Sequence, residues 1–414
     1  MMTSVTRIKR HLQQEGITST VKQASTHVFH RKIAPIFENK IQKRKLSEGE
    51  IMNICTSREQ FFKRYDSAKC YDLEFPIITN NTDRVEKEFR ERYPKKVQTE
   101  PPLVCEMDNV TVISPYAVPV SPYGYLPEKG LSDKNTLIGI LSAAIRGTAP
   151  NGKSIFDSKE ELDRAIFLVG PHDKNYYHWF NNYLPRLEGL LYYPKADETT
   201  VIVPRDPPQW QLDSLKLLGL SSSKIVEWPG EPIHTEKYIL SRYRLEPSEE
   251  AKTRPKVKPK ENYQWIIDQF HKNINLEKTS KSTRIYISRE DATTRRTLNE
   301  DKVVATLSKY NFDKYTLSNL TLEEQIKLFH HADVIVGAHG AGLVNMMFSS
   351  SATVVELLGP KTTRTNPGVF YNMAQVFDHT YACIDAQSIN QDICVDIEKL
   401  DSLVNNLLNS RGQH

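Results

Sequence analysis

The chain has 414 residues, 55 Lys+Arg against 51 Asp+Glu, and 39% apolar side chains. That length corresponds to two or three domains with a full core, and an ordinary 26% charged fraction excludes a disordered chain or a highly basic nucleic-acid coat. The longest apolar run, 137–145, falls well short of the ~20 residues that span a bilayer. Arg7, Lys9 and Arg10, followed by Gln13, Gln14 and Glu15, are unlike the apolar core of a signal peptide, so a cytoplasmic location is expected. Cys55, Cys70, Cys105, Cys383 and Cys394 are odd in number and widely spaced, which reads as reduced thiols rather than a disulfide framework or a zinc site.

Residues 1–50 carry ten Lys/Arg and four Asp/Glu, a net of +6, and the remaining 45 basic and 47 acidic residues leave the body at −2. In this arm Ile8, Leu12, Ile17 and Val21 recur at four- to five-residue steps beside basic residues. Val28, Phe29, Ile33, Ile36 and Phe37 are likewise flanked by Arg31, Lys32 and Lys43-Arg44-Lys45. A basic, partly helical arm of this kind either packs as solvated helices on the body or lies on an anionic membrane surface, where each cation contributes about 1 kcal/mol. No aromatic-basic interleaving marks a nucleic-acid partner.

A first α/β domain is expected over 51–246. It holds short strands at 110–114 and 117–121, strand 166–169, helix 178–192, strand 200–203, helix 209–218 and strands 224–228 and 238–240. A polar, Pro-bearing linker over 247–262 separates it from a second α/β domain over 263–390. There the pattern predicts helix 262–274, strand 284–287, helix 299–309, strand 314–317, helix 321–331 and strand 333–336. A short helix 342–348, strand 353–358, helix 369–377 and strand 380–384 follow, with a last helix within 391–414. Strands alternating with helices on both sides of a linker predict two facing Rossmann-like domains with parallel sheets.

Three constellations carry chemistry. Gly337, Gly340 and Gly342 fall between an apolar strand and a helix start in a chain with only 17 glycines. Such a turn presents backbone N–H groups to an anion at the carboxyl end of a strand, or serves only as a tight turn; it fits neither the dinucleotide fingerprint nor the P-loop. In Tyr286-Ile-Ser288-Arg289 a strand ends in a hydroxyl and a guanidinium, followed by Arg295, Arg296, Asn299 and Glu300. These arginines either sit at the surface or fork onto a diphosphate. Glu356 either accepts from a ribose hydroxyl or closes a local ion pair. In the first half, Asp173, Asn175, Tyr177, His178, Trp179, Asn182 and Arg186 form an aromatic and amide cluster suited to a sugar. His178 there is either a structural histidine or a general base. No His/Asp/Cys spacing resembles a metal site.

Together these motifs resemble glycosyltransferase family 61, over about 165–408. The resemblance rests on Asn175-Tyr-Tyr-His178-Trp with Leu184-Pro-Arg-Leu, on Tyr286-Ile-Ser-Arg289 with Arg296-x-x-Asn-Glu300, and on Glu324-Gln-Ile326, His339-Gly-Ala-Gly-Leu343, Asn345, Phe348 and Glu356. It implies a GT-B architecture and inverting transfer from a nucleotide-diphosphate sugar, a UDP-sugar, to a glycan or lipid-linked glycan in surface (capsular or exo-) polysaccharide synthesis, without cofactor or metal. Ser288, Arg289, Arg296, Glu300, His339, Gly340, Ala341, Gly342, Leu343, Asn345 and Glu356 would then hold the nucleotide sugar. His178, Asp173 or Glu188 would take the proton, and Asn175, Tyr177, Trp179, Asn182 and Arg186 would line the acceptor side. Asn182 stands where family members commonly carry Asp, and an amide takes no proton. The competing expectation is therefore a catalytically lapsed nucleotide-sugar-binding or scaffold protein of the same fold.

Overall fold

Runs of branched apolar residues form strands where helices cover both faces of a sheet, which is how the second half of this chain is built. The computed structural model describes residues 45–73, 91, 95–114, 116–127, 161–247, 256–277, 283–359 and 368–411. Nearly all of the basic arm, the apolar run 137–145 and most of the linker lie outside these residues.

The first half opens with α1 (Glu48–Ser57), started by a capping box in which Ser47 and Glu50 exchange side-chain and backbone hydrogen bonds. Strands β1 (Phe62–Arg64), β2 (Lys69–Asp72), β3 (Lys96–Thr99), β4 (Leu103–Ile113), β5 (Val118–Ser121), β6 (Gly124–Tyr125) and β7 (Glu161–Phe167) follow. A helical segment over 176–192 leads to β8 (Thr200–Val203), α2 (Gln209–Leu217), β9 (Ile225–Glu227) and β10 (Ile233–Arg242). All but β2 and β3 join one eight-stranded sheet, ordered β6-β5-β4-β10-β7-β8-β9 with β1 on β4. β10, β7, β8 and β9 run parallel, but β10 pairs antiparallel with β4 from Ile233↔Val112 to Arg242↔Leu103. The expected parallel sheet is thus mixed. Its charged strand residues meet across the seam: Lys237 Nζ lies 2.6 Å from Asp108 and 3.2 Å from Glu106, and Arg164 lies 3.7 Å from Glu106.

The second half runs α3 (Glu261–Asn273), β11 (Arg284–Ser288), α4 (Glu300–Ser308), β12 (Asp313–Thr316), α5 (Leu322–His330) and β13 (Val334–Ala338). A 3-10 turn Ala341–Phe348, β14 (Thr353–Leu358), α6 (Val369–Val376), β15 (Thr380–Asp385), β16 (Gln387–Ile389), β17 (Asp392–Cys394) and α7 (Ile397–Arg411) complete it. The five-stranded sheet, ordered β12-β11-β13-β14-β15, is parallel throughout. Registers Tyr286↔Val336 and Ile287↔Gly337 set the carboxyl ends of β11 and β13 side by side, so the loops after them converge.

One hydrophobic cluster spans both halves: Trp179, Phe180 and Val201 belong to it together with Ile285, Ile335, Phe348 and Phe370. Phe180 packs edge-on against Phe348 at 6.2 Å. Among the described residues, no helix is long and apolar enough to cross a membrane.

Candidate active site

The loops at the carboxyl ends of β11 and β13 wall a cleft of about 600 Å³. Ser288, Arg289, Gly340, Gly342 and Leu343 line one side, Leu317–Thr321 close the end, and Tyr176 and Trp210 approach from the first half. Arg289 is mostly buried, and burial together with neighbouring Arg295 disfavours its charge. Its Nη2 donates to the Thr294 carbonyl at 3.1 Å, its buried Nε has no partner, and no described carboxylate forms an ion pair with it. A guanidinium held in this way is short of an anion. Gly340 lies against it: a Cβ there would overlap Nη1 and stand 2.9 Å from Cζ. Gly340 is extended (φ −172°), so glycine is needed for space rather than for backbone freedom. It precedes the turn Ala341–Phe348, whose first N–H groups have no partner within the helix.

His339, between β13 and Gly340, is 8% exposed. Its Nδ1 lies 2.5 Å from Oε1 of Glu356, and Tyr381 donates its hydroxyl to the other oxygen of that carboxylate. Glu356 is 1% exposed inside β14, so it holds His339 and does not open onto the cleft. Arg295, in the left-handed conformation at φ 59°, adds positive charge beside Glu356.

His178 is held the other way round. Lys258 Nζ donates to the Asn182 side-chain oxygen (2.5 Å), to the Asn181 carbonyl (2.6 Å) and to the Tyr243 hydroxyl (3.2 Å). This fixes the Asn182 amide, so its Nδ2 faces His178 Nδ1 at 2.8 Å. An N–H pointing at Nδ1 makes that nitrogen the acceptor and leaves the proton of neutral imidazole on Nε2. Burial, with His172 and Lys258 nearby, pushes the His178 pKa down to about 4. His172 stacks on it at 5.2 Å from a left-handed backbone (φ 61°). An aromatic chain joins the two histidines: Tyr177 is 5.3 Å from His178 and 5.8 Å from Phe370, which is 5.1 Å from His339.

Other expected site residues are occupied elsewhere. Arg296 donates from Nη2 and Nε to one oxygen of Asp392 (2.7 and 3.2 Å), which ties it to β17. Glu300 accepts from Ser288 at 2.8 Å and from Tyr286 at 2.9 Å, and pairs with Lys314. Asn345 is wholly buried, accepting from Tyr176 (2.8 Å) and donating to Gln325 (2.9 Å), so it bridges the halves. On the acceptor side, Asn175 caps the helical segment through His178 N–H, and Trp179 is fully buried with its indole on Ser214. Arg186 is 3% exposed and bonds the Phe167 and Asn182 carbonyls. Neither Trp179 nor Arg186 presents a surface to an acceptor. Asp173, raised by burial, accepts the Gly170 N–H, and Glu188, raised by burial to about 7, accepts from Tyr65. Tyr177 accepts from Asn181 at 2.6 Å.

Sequence reading missed Lys258, Trp210 and the 317–321 wall, and named Arg295 and Arg296 together, of which Arg296 is committed to Asp392. Among the described residues, no three His, Cys, Asp or Glu side chains are grouped to hold a metal ion. Residues 176–355 match the family model Glycosyltransferase 61. No curated protein matches the chain.

Proposed function

From the premise that the chain belongs to glycosyltransferase family 61, we propose that it catalyses inverting transfer from a nucleotide-diphosphate sugar, a UDP-sugar, to a glycan hydroxyl. The observation that carries this reading is Arg289: a mostly buried guanidinium with an orphaned Nε, packed on Gly340 at the mouth of a 600 Å³ cleft. The cleft suits a nucleoside, and the diphosphate would lie between Arg289, Arg295 and the N–H groups of Ala341 and Gly342.

In the reaction the acceptor oxygen bonds to the anomeric carbon while the bond to the β-phosphate oxygen breaks, its electron pair leaving on the diphosphate. Charge grows on that leaving group, and fixed cations and N–H groups stabilise it more in the transition state than before. Such donors take the part a metal ion plays elsewhere, so transfer is expected to survive EDTA. In this reading the fold is a GT-B arrangement. The enzyme acts in surface polysaccharide synthesis from the cytoplasmic side, with the +6 arm against an anionic membrane that carries lipid-linked glycan.

A second reading, a lapsed copy that binds nucleotide sugars without turning them over, draws on the Asn182 amide at His178. Incubating the full chain with a panel of nucleotide sugars, with and without EDTA, separates them. Binding read by thermal shift together with sugar release or transfer supports the enzyme. Binding with no turnover supports the lapsed copy, and no binding at all removes both.

A further inference from the structure

The two histidines at the junction of the halves have opposite hydrogen-bond polarity. His178 Nδ1 receives an amide N–H that Lys258 holds in place, so its Nε2 carries hydrogen and donates. His339 Nδ1 faces a carboxylate, which can only accept while Tyr381 donates to its other oxygen, so His339 carries hydrogen on Nδ1. Its Nε2 is then a lone pair. That nitrogen has no hydrogen-bond partner among the described residues and is not one of the enclosed, unpartnered atoms.

We propose that His339 accepts the proton in the transfer reaction, with Glu356 as its positioning residue, and that His178 serves as a hydrogen-bond donor to the sugar or acceptor. This rests on the transfer reading above. The acceptor O–H bond breaks and its proton passes to His339 Nε2; the oxygen bonds to the anomeric carbon, and the diphosphate leaves with the electron pair. The charged and titratable groups around His339 fit that step. Glu356 on β14 and Tyr381 on β15 hold its far side, while Arg289 packs on the neighbouring Gly340 and Arg295 lies beside Glu356. A bound diphosphate offsets those two positive charges. Asn182 thereby acquires a meaning. An amide at that point of a base-orienting pair fixes the tautomer that cannot accept at Nε2, a change that costs about 10⁴-fold where the histidine is the base, so transfer here needs another acceptor.

The test uses the full chain labelled with ¹⁵N-histidine, with H178Q and H339Q to assign signals. Long-range ¹H–¹⁵N spectra at neutral pH are expected to show His339 protonated on Nδ1 and His178 on Nε2; the reverse for His339 overturns the proposal. With whichever nucleotide sugar the wild type turns over, H339Q is expected to lower kcat by 10²–10⁴-fold while UDP binding changes less than threefold. E356Q should move the acid limb of the kcat/KM profile to lower pH, because removing the carboxylate makes the imidazole less basic. Full turnover in H339Q, or loss of UDP affinity matching its loss of turnover, sinks the assignment and leaves the transferase reading standing. If E356Q does not fold, the tautomer and H339Q measurements decide alone. A wild type that turns over no nucleotide sugar overturns the transferase reading and this assignment together.

Discussion

The Arg289 guanidinium occupies the space that a Cβ at Gly340 would fill. The alternative to glycine there is displacement of the guanidinium, since backbone conformation at 340 does not demand glycine. Gly340→Ala is therefore expected to fold normally and to weaken UDP binding by about 1.5–3 kcal/mol, the range of a charge-assisted hydrogen bond. Arg289→Ala should do the same, and the double variant should add little, because both remove one interaction. Calorimetric titration with UDP checks this; additive losses would mean that Gly340 acts by another route.

Two adjacent arginines separate cleanly. Arg295 is partly buried beside Arg289 and Glu356, with no hydrogen bond from its guanidinium to a described residue, whereas Arg296 is committed to Asp392. Arg295→Ala should weaken UDP at least tenfold. Arg296→Ala should leave UDP affinity intact and speed amide exchange at Ile393, whose N–H bonds the Arg296 carbonyl. Equal losses of UDP affinity in both variants would refute the distinction.

Glu188 gives a pH signature away from the cleft. Burial raises its pKa from an ordinary 4.5 to about 7, despite the hydrogen bond from Tyr65. The folded state thus binds a proton that the unfolded state releases between those values. Its stabilising contribution is full below about 4.5 and is lost as pH rises through about 7. Glu188→Gln should match the wild type near pH 4.5 and exceed it at pH 8 by about 2–3 kcal/mol. Thermal unfolding across this range tests the sign; a variant less stable than wild type at pH 8 contradicts it.

Much of the second half was legible because buried parallel strands leave uninterrupted apolar runs: 353–358 was placed to the residue, and β11, β13 and β15 to within two. In the first half, 200–203 coincides with β8 and 117–121 and 224–228 fall within one residue of β5 and β9, but β4, β7 and β10 extend well beyond the strands expected at 110–114, 166–169 and 238–240. β4, β7 and β10 carry Glu106, Asp108, Arg164 and Lys237, which break the apolar pattern locally and pair with one another across the sheet, with Tyr193 and Glu198 as further partners. The expected helix 178–192 is helical but irregular. Trp179–Tyr183 forms a π-turn and Leu184–Tyr192 a 3-10 run, with Pro185 lacking an N–H to continue the α pattern. Within the site, the glycine turn and Arg289 were readable from local order. The direction in which each histidine holds its proton was not, because Lys258, Asn182 and Glu356 reach them from distant positions. The Arg296–Asp392 pair, 96 residues apart, left no local trace either.

The hydrophobic cluster that runs from Trp179 and Phe180 to Phe348 and Phe370 has a mechanical consequence. Prying the halves apart enough to expose about 400 Å² of that apolar surface would cost about 10 kcal/mol, comparable to the whole free energy of binding a ligand with a dissociation constant between micromolar and nanomolar. Opening the halves would therefore use up most of what binding a donor supplies. Passage of a ligand through the mouth of the cleft, with only side chains and loops shifting, leaves that apolar surface covered.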